Sequence, residues 1–120
     1  MEGWTNKVWG WFKTVHQDEH CIIQRLNIVQ GGYSSKHYHE RLNNRMIVLF
    51  GTFNIEWYTY PTEPEIKQLL AGQQLYIPRY QSHRFHALTA VQAIEIITVD
   101  TGVIDLNDIV RFDEGGVRSG

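Results

Sequence analysis

The chain reads as a series of short runs rich in β-branched and aromatic residues, each closed by residues that favour turns. Glycine, proline and asparagine separate the runs, and a helical period is weak everywhere, strongest in DLNDIVRF (105–112). Many short strands at close spacing favour an antiparallel sandwich or barrel. The principal runs are CIIQRLNIV (21–29), SSKHYH (34–39), RMIVLF (45–50), FNIEWYTY (53–60), EIKQLL (65–70), QLYI (74–77), HRFHAL (83–88) and VQAIEIITV (91–99).

Alternation along these runs predicts which side chains share a face, because residues two apart on a strand point the same way. The predicted inner face consists of Met46, Val48, Phe50, Phe53, Ile55 and Trp57. Ile47 and Leu49 then point outward, and two aliphatic side chains on an outer face indicate that another surface covers them. Either a second subunit or the tryptophan-rich N-terminus (Trp4, Trp9, Trp11) would do so. We expect a homodimer.

The length of 120 residues allows one compact domain with one core. We expect the barrel, with its N-terminal covering segment, to occupy residues 1–112, and residues 113–120 (DEGGVRSG) to form a flexible tail.

Charge and cysteine content restrict the class of protein. The chain has 11 Lys and Arg against 13 Asp and Glu, so electrostatics predict neither a nucleic-acid partner nor a membrane partner. The single cysteine, Cys21, has no internal disulfide partner. No signal-peptide pattern and no bilayer-length apolar run are present. We expect a cytoplasmic protein.

The histidines are the candidate functional residues. His37 and His39 alternate in one run, and His83 and His86 lie in another, where a spacing of three places His86 on the opposite strand face. A His-x-His pair alone is a weak signal, since two histidines on a solvated strand face are common.

The surrounding residues resemble the two motifs of the cupin superfamily. The first motif corresponds to Gly31, His37, His39, Asn44 and Gly51. The second corresponds to Gly72, Pro78, Tyr80, His83 and Ala87, and the spacing is intact in both. Three positions differ: Asn44 replaces an acidic residue, Tyr80 a turn glycine, and Ala87 an asparagine.

The resemblance implies an all-β, double-stranded β-helix (a cupin jelly-roll barrel) in a single domain. It also implies a divalent metal ion held by His37, His39 and His83. Neutral imidazoles suit Zn, Mn, Ni, Fe or Co, with positions left for water or substrate. Asn44 offers only a neutral oxygen, and we expect it to be a weak ligand or a partner of a metal-bound water. The site would then be more electropositive than one with a carboxylate, which favours an anionic substrate.

A narrower resemblance covers most of the chain. RLNIVQGG, RMIVLFGT, LYIPRYQSHRF and VDTGVIDLNDIVRF are similar to segments of type II mannose-6-phosphate isomerases. His39 and His83 match that family. His37, Glu40, Arg41, Leu42 and Asn44 differ from it.

This resemblance implies interconversion of an aldose phosphate and a ketose phosphate, with a metal polarising the substrate oxygens. Arg111, Arg84 and Lys36 are candidate phosphate-binding residues. The sequence does not identify the base: a metal-bound hydroxide is one candidate and Glu40 a poorer one.

Two other functions remain open from sequence. One is a non-catalytic cupin that binds a small sugar or anion, which the loss of a carboxylate at Asn44 favours. The other is a three-histidine iron dioxygenase, since an all-imidazole site with open positions also suits O2 chemistry.

Overall fold

The computed structural model describes residues 3–119, and within that range all regular structure is β. These residues form no helix, so this part of the chain contains no helix that is long and apolar enough to cross a bilayer. The strands are β1 (Thr5–Lys7), β2 (Gly10–Gln17), β3 (Cys21–Ile28), β4 (Gly32–Tyr33), β5 (His37–Tyr38), β6 (Leu42–Phe50), β7 (Phe53–Trp57), β8 (Glu65–Leu69), β9 (Gln74–Ile77), β10 (His83–Ala87), β11 (Val91–Val99), β12 (Val110–Arg111) and β13 (Gly116–Val117).

Two antiparallel sheets share the larger of two hydrophobic clusters. The first sheet has the order β1-β2-β3-β11-β6-β9. The second has the order β12-β5-β10-β4-β13, with β7 joined to β10 and β8 joined to β7. Leu26 and Val48 of the first sheet lie in the same buried cluster as Phe53, Ile55 and Phe85 of the second. The predicted all-β single-domain architecture is confirmed.

The inner face follows the predicted alternation except at one strand end. Met46, Val48, Phe53 and Ile55 are buried, whereas Phe50 is 58% exposed. Along β11, Ala93 pairs with Val48 but Gln92 pairs with Phe50, so Leu49 is an extra residue on β6. Such a bulge reverses the side-chain parity beyond it. The prediction that Phe50 lines the core was therefore wrong.

The N-terminal residues extend the first sheet at its edge. Strand β2 pairs with β3, and β3 and β11 lie between β2 and β6. Trp9 turns inward and meets the ring of Phe85 edge-on, with the centroids 5.1 Å apart. Ile47 stays partly exposed and Leu49 is 44% exposed. These strands do not cross the outer face of β6, and the homodimer stays a prediction.

The C-terminal residues differ from the predicted flexible tail and from the helical pattern of 105–112. Residues 110–111 form β12 and residues 116–117 form β13, which pairs with β4. The backbone N–H of Arg118 donates to the carbonyl of Gly31 at 2.8 Å. A Cβ atom at Gly115 would lie 2.4 Å from the carbonyl oxygen of Tyr33. The glycines that suggested flexibility instead permit close approach of two backbones.

Candidate functional site

A cavity of about 590 Å³ opens between the sheets and contains most of the predicted site. It is lined by apolar side chains, including Trp9, Phe12 and Phe85, and by polar side chains from several strands. This combination of an apolar wall and a few convergent polar groups is typical of small-molecule sites. The polar lining residues are Lys7, Gln24, Ser34, Ser35, His37, His39, Asn44, Glu95, Arg111 and Glu114.

The structure brings together the three histidines that sequence motifs singled out. The ring centroids of His37 and His83 are 4.6 Å apart, those of His37 and His39 are 5.2 Å apart, and those of His39 and His83 are 6.3 Å apart. His37 pairs directly with His83 between β5 and β10. His83 is buried, and it does not line the cavity as His37 and His39 do.

A backbone carbonyl holds the Nδ1 atom of each of these imidazoles. His37 Nδ1 lies 2.8 Å from the Ser35 carbonyl, and His83 Nδ1 lies 2.8 Å from the Gln81 carbonyl. His39 Nδ1 lies 2.6 Å from the Asp108 carbonyl. A carbonyl only accepts, so each Nδ1 carries the proton and each Nε2 keeps its lone pair. Metal-ligating histidines are oriented in this way.

The surroundings keep these imidazoles neutral. Burial is the main cause that lowers the pKa of His37 to about 3, and the charges of His83 and His39 add to it. Burial likewise lowers the pKa of His83 to about 4 and also lowers that of His39. A metal ligand must be unprotonated, so the donor set suits a divalent cation without proton release from these rings.

The donor chemistry therefore fits a metal ion, although the imidazole nitrogens do not yet converge on a single metal position. No group of three or more His, Cys, Asp or Glu side chains within residues 3–119 already has metal-binding geometry. Asn44 Oδ1 is buried and finds no hydrogen-bond partner in the part of the chain that the structure describes. An orphaned polar oxygen on a residue that lines the same cavity as His37 and His39 is consistent with a missing polar ligand.

Tyr80, which replaces the turn glycine of the second cupin motif, keeps the conformation of that glycine. Its φ angle is 66°, in the left-handed region that glycine favours. Its backbone N–H donates to the carbonyl of His39 at 2.6 Å. The substitution therefore leaves the contact between the two motifs in place.

Glu95 is a cavity residue that sequence analysis missed. It lies on the inner face of β11, in parity with Ala93 and Ile97, and Asn44 Nδ2 donates to its Oε2 at 3.1 Å. Burial raises the pKa of Glu95 to about 7. The available signal was a single acidic residue at an inward position of the run VQAIEIITV. Thus a carboxylate does accompany the histidines, on the strand beside Asn44.

The cations predicted to bind phosphate lie on different faces. Arg111, opposite His37 in the β5–β12 pairing, lines the cavity together with Lys7, which sequence analysis did not single out. Arg84 alternates with His83 and points away from the cavity, where its Nε donates to the Ser34 carbonyl and its guanidinium pairs with Asp113. Of the three predicted cations, only Arg111 is placed to meet a ligand in the cavity.

The remaining predicted residues lie outside the cavity. The Lys36 ammonium lies 4.2 Å from the centroid of the Tyr58 ring and does not line the cavity. Glu40 is exposed and does not line it either. His86 lies on the outer face, as its spacing predicted, with Nδ1 3.3 Å from Arg118 Nη1. Lys36 and Glu40 are therefore poorly placed for phosphate binding and for proton transfer.

Comparison with known proteins identifies the family to which this architecture belongs. A family model described as "Mannose-6-phosphate isomerase C-terminal" matches residues 4–114. A search of curated proteins finds none that matches.

Solved structures confirm the cupin fold. Oxalate decarboxylase from Bacillus subtilis superposes with a TM-score of 0.76 at 14% identity, over 91% of this chain and 29% of that chain. KdgF from Halomonas sp. gives 0.71 at 20% identity, over 82% of this chain and 88% of that chain. The chain thus spans less than a third of the decarboxylase. That decarboxylase has Mn(II) centres.

The lowered histidine pKa values predict that folding stability is lost as pH falls. Below pH 6.5, the ordinary pKa of histidine, both imidazoles become protonated in the unfolded chain. In the folded protein they stay neutral until the pH approaches their lowered pKa values, about 3 for His37 and about 4 for His83. Glu95 opposes this trend between about pH 7 and 4.5, because its folded carboxyl takes up a proton first. The effect of two imidazoles exceeds that of one carboxyl group. The urea concentration at the midpoint of unfolding should therefore decrease as the pH is lowered from 6.5 to 4.5.

Ring-proton NMR signals of His37 and His83 should stay nearly constant as the pH is lowered from 6.5 to about 5.5, because both folded pKa values, about 3 and about 4, lie well below that range. His83→Gln is the matched variant, and its midpoint should depend less steeply on pH. Titration of either ring near pH 6.5 would contradict the neutral-imidazole interpretation.

Proposed function

Since this chain belongs to the family described as "Mannose-6-phosphate isomerase C-terminal", we propose that it is a metal-dependent cupin that isomerises a sugar phosphate of the mannose 6-phosphate type. The observation that carries the proposal is the set of three neutral imidazoles, each held at Nδ1 by a backbone carbonyl beside a polar cavity. His37, His39 and His83 would hold a divalent ion (Zn, Mn, Ni, Fe or Co). When bound, the ion supplies Lewis-acid polarisation of the substrate oxygens.

Asn44 acts in this proposal through Glu95. Its Nδ2 donates to Glu95 Oε2, which orients the carboxyl group and leaves Oε1 for the substrate. Its own Oδ1 is buried and has no hydrogen-bond partner within residues 3–119, and in this proposal the amide acts through Nδ2. An asparagine at this position therefore positions a carboxylate instead of supplying one.

Glu95 is the proposed proton-transfer group. Aldose–ketose isomerisation moves one proton from C2 to C1 and a second from the C2 hydroxyl to the C1 oxygen, so one group must take up the carbon-bound proton and return it. Because burial raises the pKa of Glu95 to about 7, both of its protonation states are populated at neutral pH. Catalytic groups are most effective when their pKa lies near the working pH.

Arg111 and Lys7 are the proposed phosphate-binding groups. Both line the cavity with His37 and His39, and they reach it from β12 and β1, at the edges of different sheets. A guanidinium group matches a phosphate through paired hydrogen bonds, whereas an ammonium group contributes a point charge. The phosphate would therefore bind at the mouth, with the sugar extending toward the imidazoles.

A second candidate function is binding of a sugar or anion without catalysis. Asn44 favours it, because the imidazoles lack the acidic ligand that the first cupin motif carries at that position. The three-histidine iron dioxygenase is less favoured, since the family match is to an isomerase domain. Metal analysis separates these functions: bound iron supports the dioxygenase, and zinc or manganese with turnover supports the isomerase.

Removal of one imidazole should abolish metal binding. We expect His39→Ala to lose most of the metal that the wild-type protein retains after equilibrium dialysis against Zn²⁺, because the two remaining imidazoles cannot replace its bond. His86→Ala is the matched control, because His86 lies on the opposite face of β10, and it should bind as the wild type does. Equal metal content in His39→Ala and wild type would exclude the three-histidine site.

Neutralising the cavity arginine should weaken phosphate recognition. Loss of a hydrogen bond to a charged group costs about 1.5–3 kcal/mol, so Arg111→Gln should weaken sugar-phosphate affinity about 10- to 100-fold. Arg84→Gln, an identical substitution on the outer face, should leave it unchanged. Calorimetric titration with mannose 6-phosphate distinguishes them. The phosphate assignment fails if the Arg84 variant shows the larger loss.

A further inference from the structure

The loop that follows His39 is attached to a residue far along the chain. Residues 39–41 connect β5 to β6, and three successive backbone N–H groups in and after this loop point at one carboxylate. Glu40 donates to Asp108 Oδ1 at 3.0 Å, and Arg41 and Leu42 donate to Oδ2 at 2.8 and 3.0 Å. Successive N–H groups of this kind form an anion-binding concavity. Here the anion is a side chain of the protein itself.

The same residue also contacts the imidazole. The backbone carbonyl of Asp108 accepts the Nδ1–H of His39 at 2.6 Å, so Asp108 holds both the loop and the ring that begins it. Partial burial alone would raise the pKa of Asp108, but the N–H groups of Glu40, Arg41 and Leu42 outweigh it and lower that pKa. The carboxylate is therefore ionised at neutral pH and accepts all three hydrogen bonds.

From these contacts, we infer that Asp108 is a positioning residue: it fixes the loop after His39 and thereby keeps His39 in the tautomer whose Nε2 lone pair is free to bind a metal ion. His39 differs in this respect from the other two imidazoles. The carbonyls that hold His37 and His83 come from residues two positions earlier in the chain. Only His39 depends on a partner 69 residues away.

For the cavity, the consequence is that Asp108 sets the position of both the C-terminal wall and the His39 imidazole. Asp108 lies two residues before β12, which pairs with β5 and brings Arg111 opposite His37. A displacement of Asp108 therefore moves the His39 ring and the cavity cation in one step. Outer hydrogen-bond partners of metal ligands typically change metal affinity by about 10- to 100-fold when they are mutated.

Asp108→Asn tests the inference with little change in shape. An amide presents one oxygen and one NH₂ group, so it repels at least one of the N–H groups that the carboxylate accepted. Asp105→Asn is the matched control, because Asp105 lies in the same exposed loop and caps only the N–H of Asn107. The readouts are the ¹⁵N–¹H spectrum of the His39 ring in metal-free protein and the Zn²⁺ affinity by titration.

We expect the wild type and Asp105→Asn to show a single Nδ1-protonated His39 tautomer, and Asp108→Asn to show a mixture with Zn²⁺ affinity about 10- to 100-fold weaker. An unchanged His39 tautomer in folded Asp108→Asn would overturn the inference. The metal consequence rests on the proposed function, but the tautomer does not. If the wild type binds no Zn²⁺, the proposed metal site fails while the ring spectrum still decides the role of Asp108.

A measurement on the wild-type protein covers the case in which Asp108→Asn does not fold. Coupling between two events is reciprocal, so an interaction that prepares His39 for metal must itself be strengthened by metal. Amide hydrogen exchange at Arg41 and Leu42 should therefore slow when Zn²⁺ is added. Exchange at these amides that is indifferent to bound Zn²⁺ would contradict the positioning role.

Discussion

Hydrogen bonds from three imidazole Nδ1 atoms to backbone carbonyls constrain the rest of the site. Ser35, Gln81 and Asp108 supply these carbonyls. Because a carbonyl has no proton to give, each ring must present an unprotonated Nε2. Burial then lowers the pKa values of the rings and keeps all three imidazoles neutral at physiological pH. The result is a cluster of neutral nitrogen donors that the protein's own backbone orients.

The polar groups around this cluster divide into complementary sets. Glu95 and Asn44 form a hydrogen-bonded pair on the first sheet, whereas Arg111 and Lys7 bring positive charge to the cavity. The proposed sugar phosphate would present matching features: a phosphate for the cations and a carbon-bound proton for the carboxyl group. Apolar side chains that include Trp9 and Phe85 line the same cavity.

Much of this arrangement could be predicted from local spacing. The two motifs identified His37, His39 and His83, and alternation already placed His86 on the outer face. The same alternation would have excluded Arg84, since it directly follows an inward histidine. Glu95 was overlooked because it is the single charged residue in a run that otherwise has the composition of a buried strand. A bulge at Leu49 reversed the parity of Phe50, and such an extra residue leaves no trace in an alternating pattern.

The long-range features could not be predicted, because they depend on which segments meet in space. Acidic residues and glycines near the C-terminus suggested a flexible end, yet Gly115 allows the backbone of 113–118 to lie against that of Tyr33. Asp108 and Arg111 belong to the site only because β12 pairs with β5. Their roles follow from hydrogen bonds across more than 60 residues of sequence.

The central claim, that the cavity isomerises a sugar phosphate with Glu95 as the proton-transfer group, is tested most directly by turnover of mannose 6-phosphate in D₂O with added divalent metal. We expect fructose 6-phosphate that carries solvent deuterium. We also expect a rate about 10²- to 10⁴-fold lower in Glu95→Gln, with Glu114→Gln, another cavity carboxylate, close to wild type. Absence of turnover by a metal-loaded wild-type protein that binds the sugar phosphate, or full activity in Glu95→Gln, would contradict the claim.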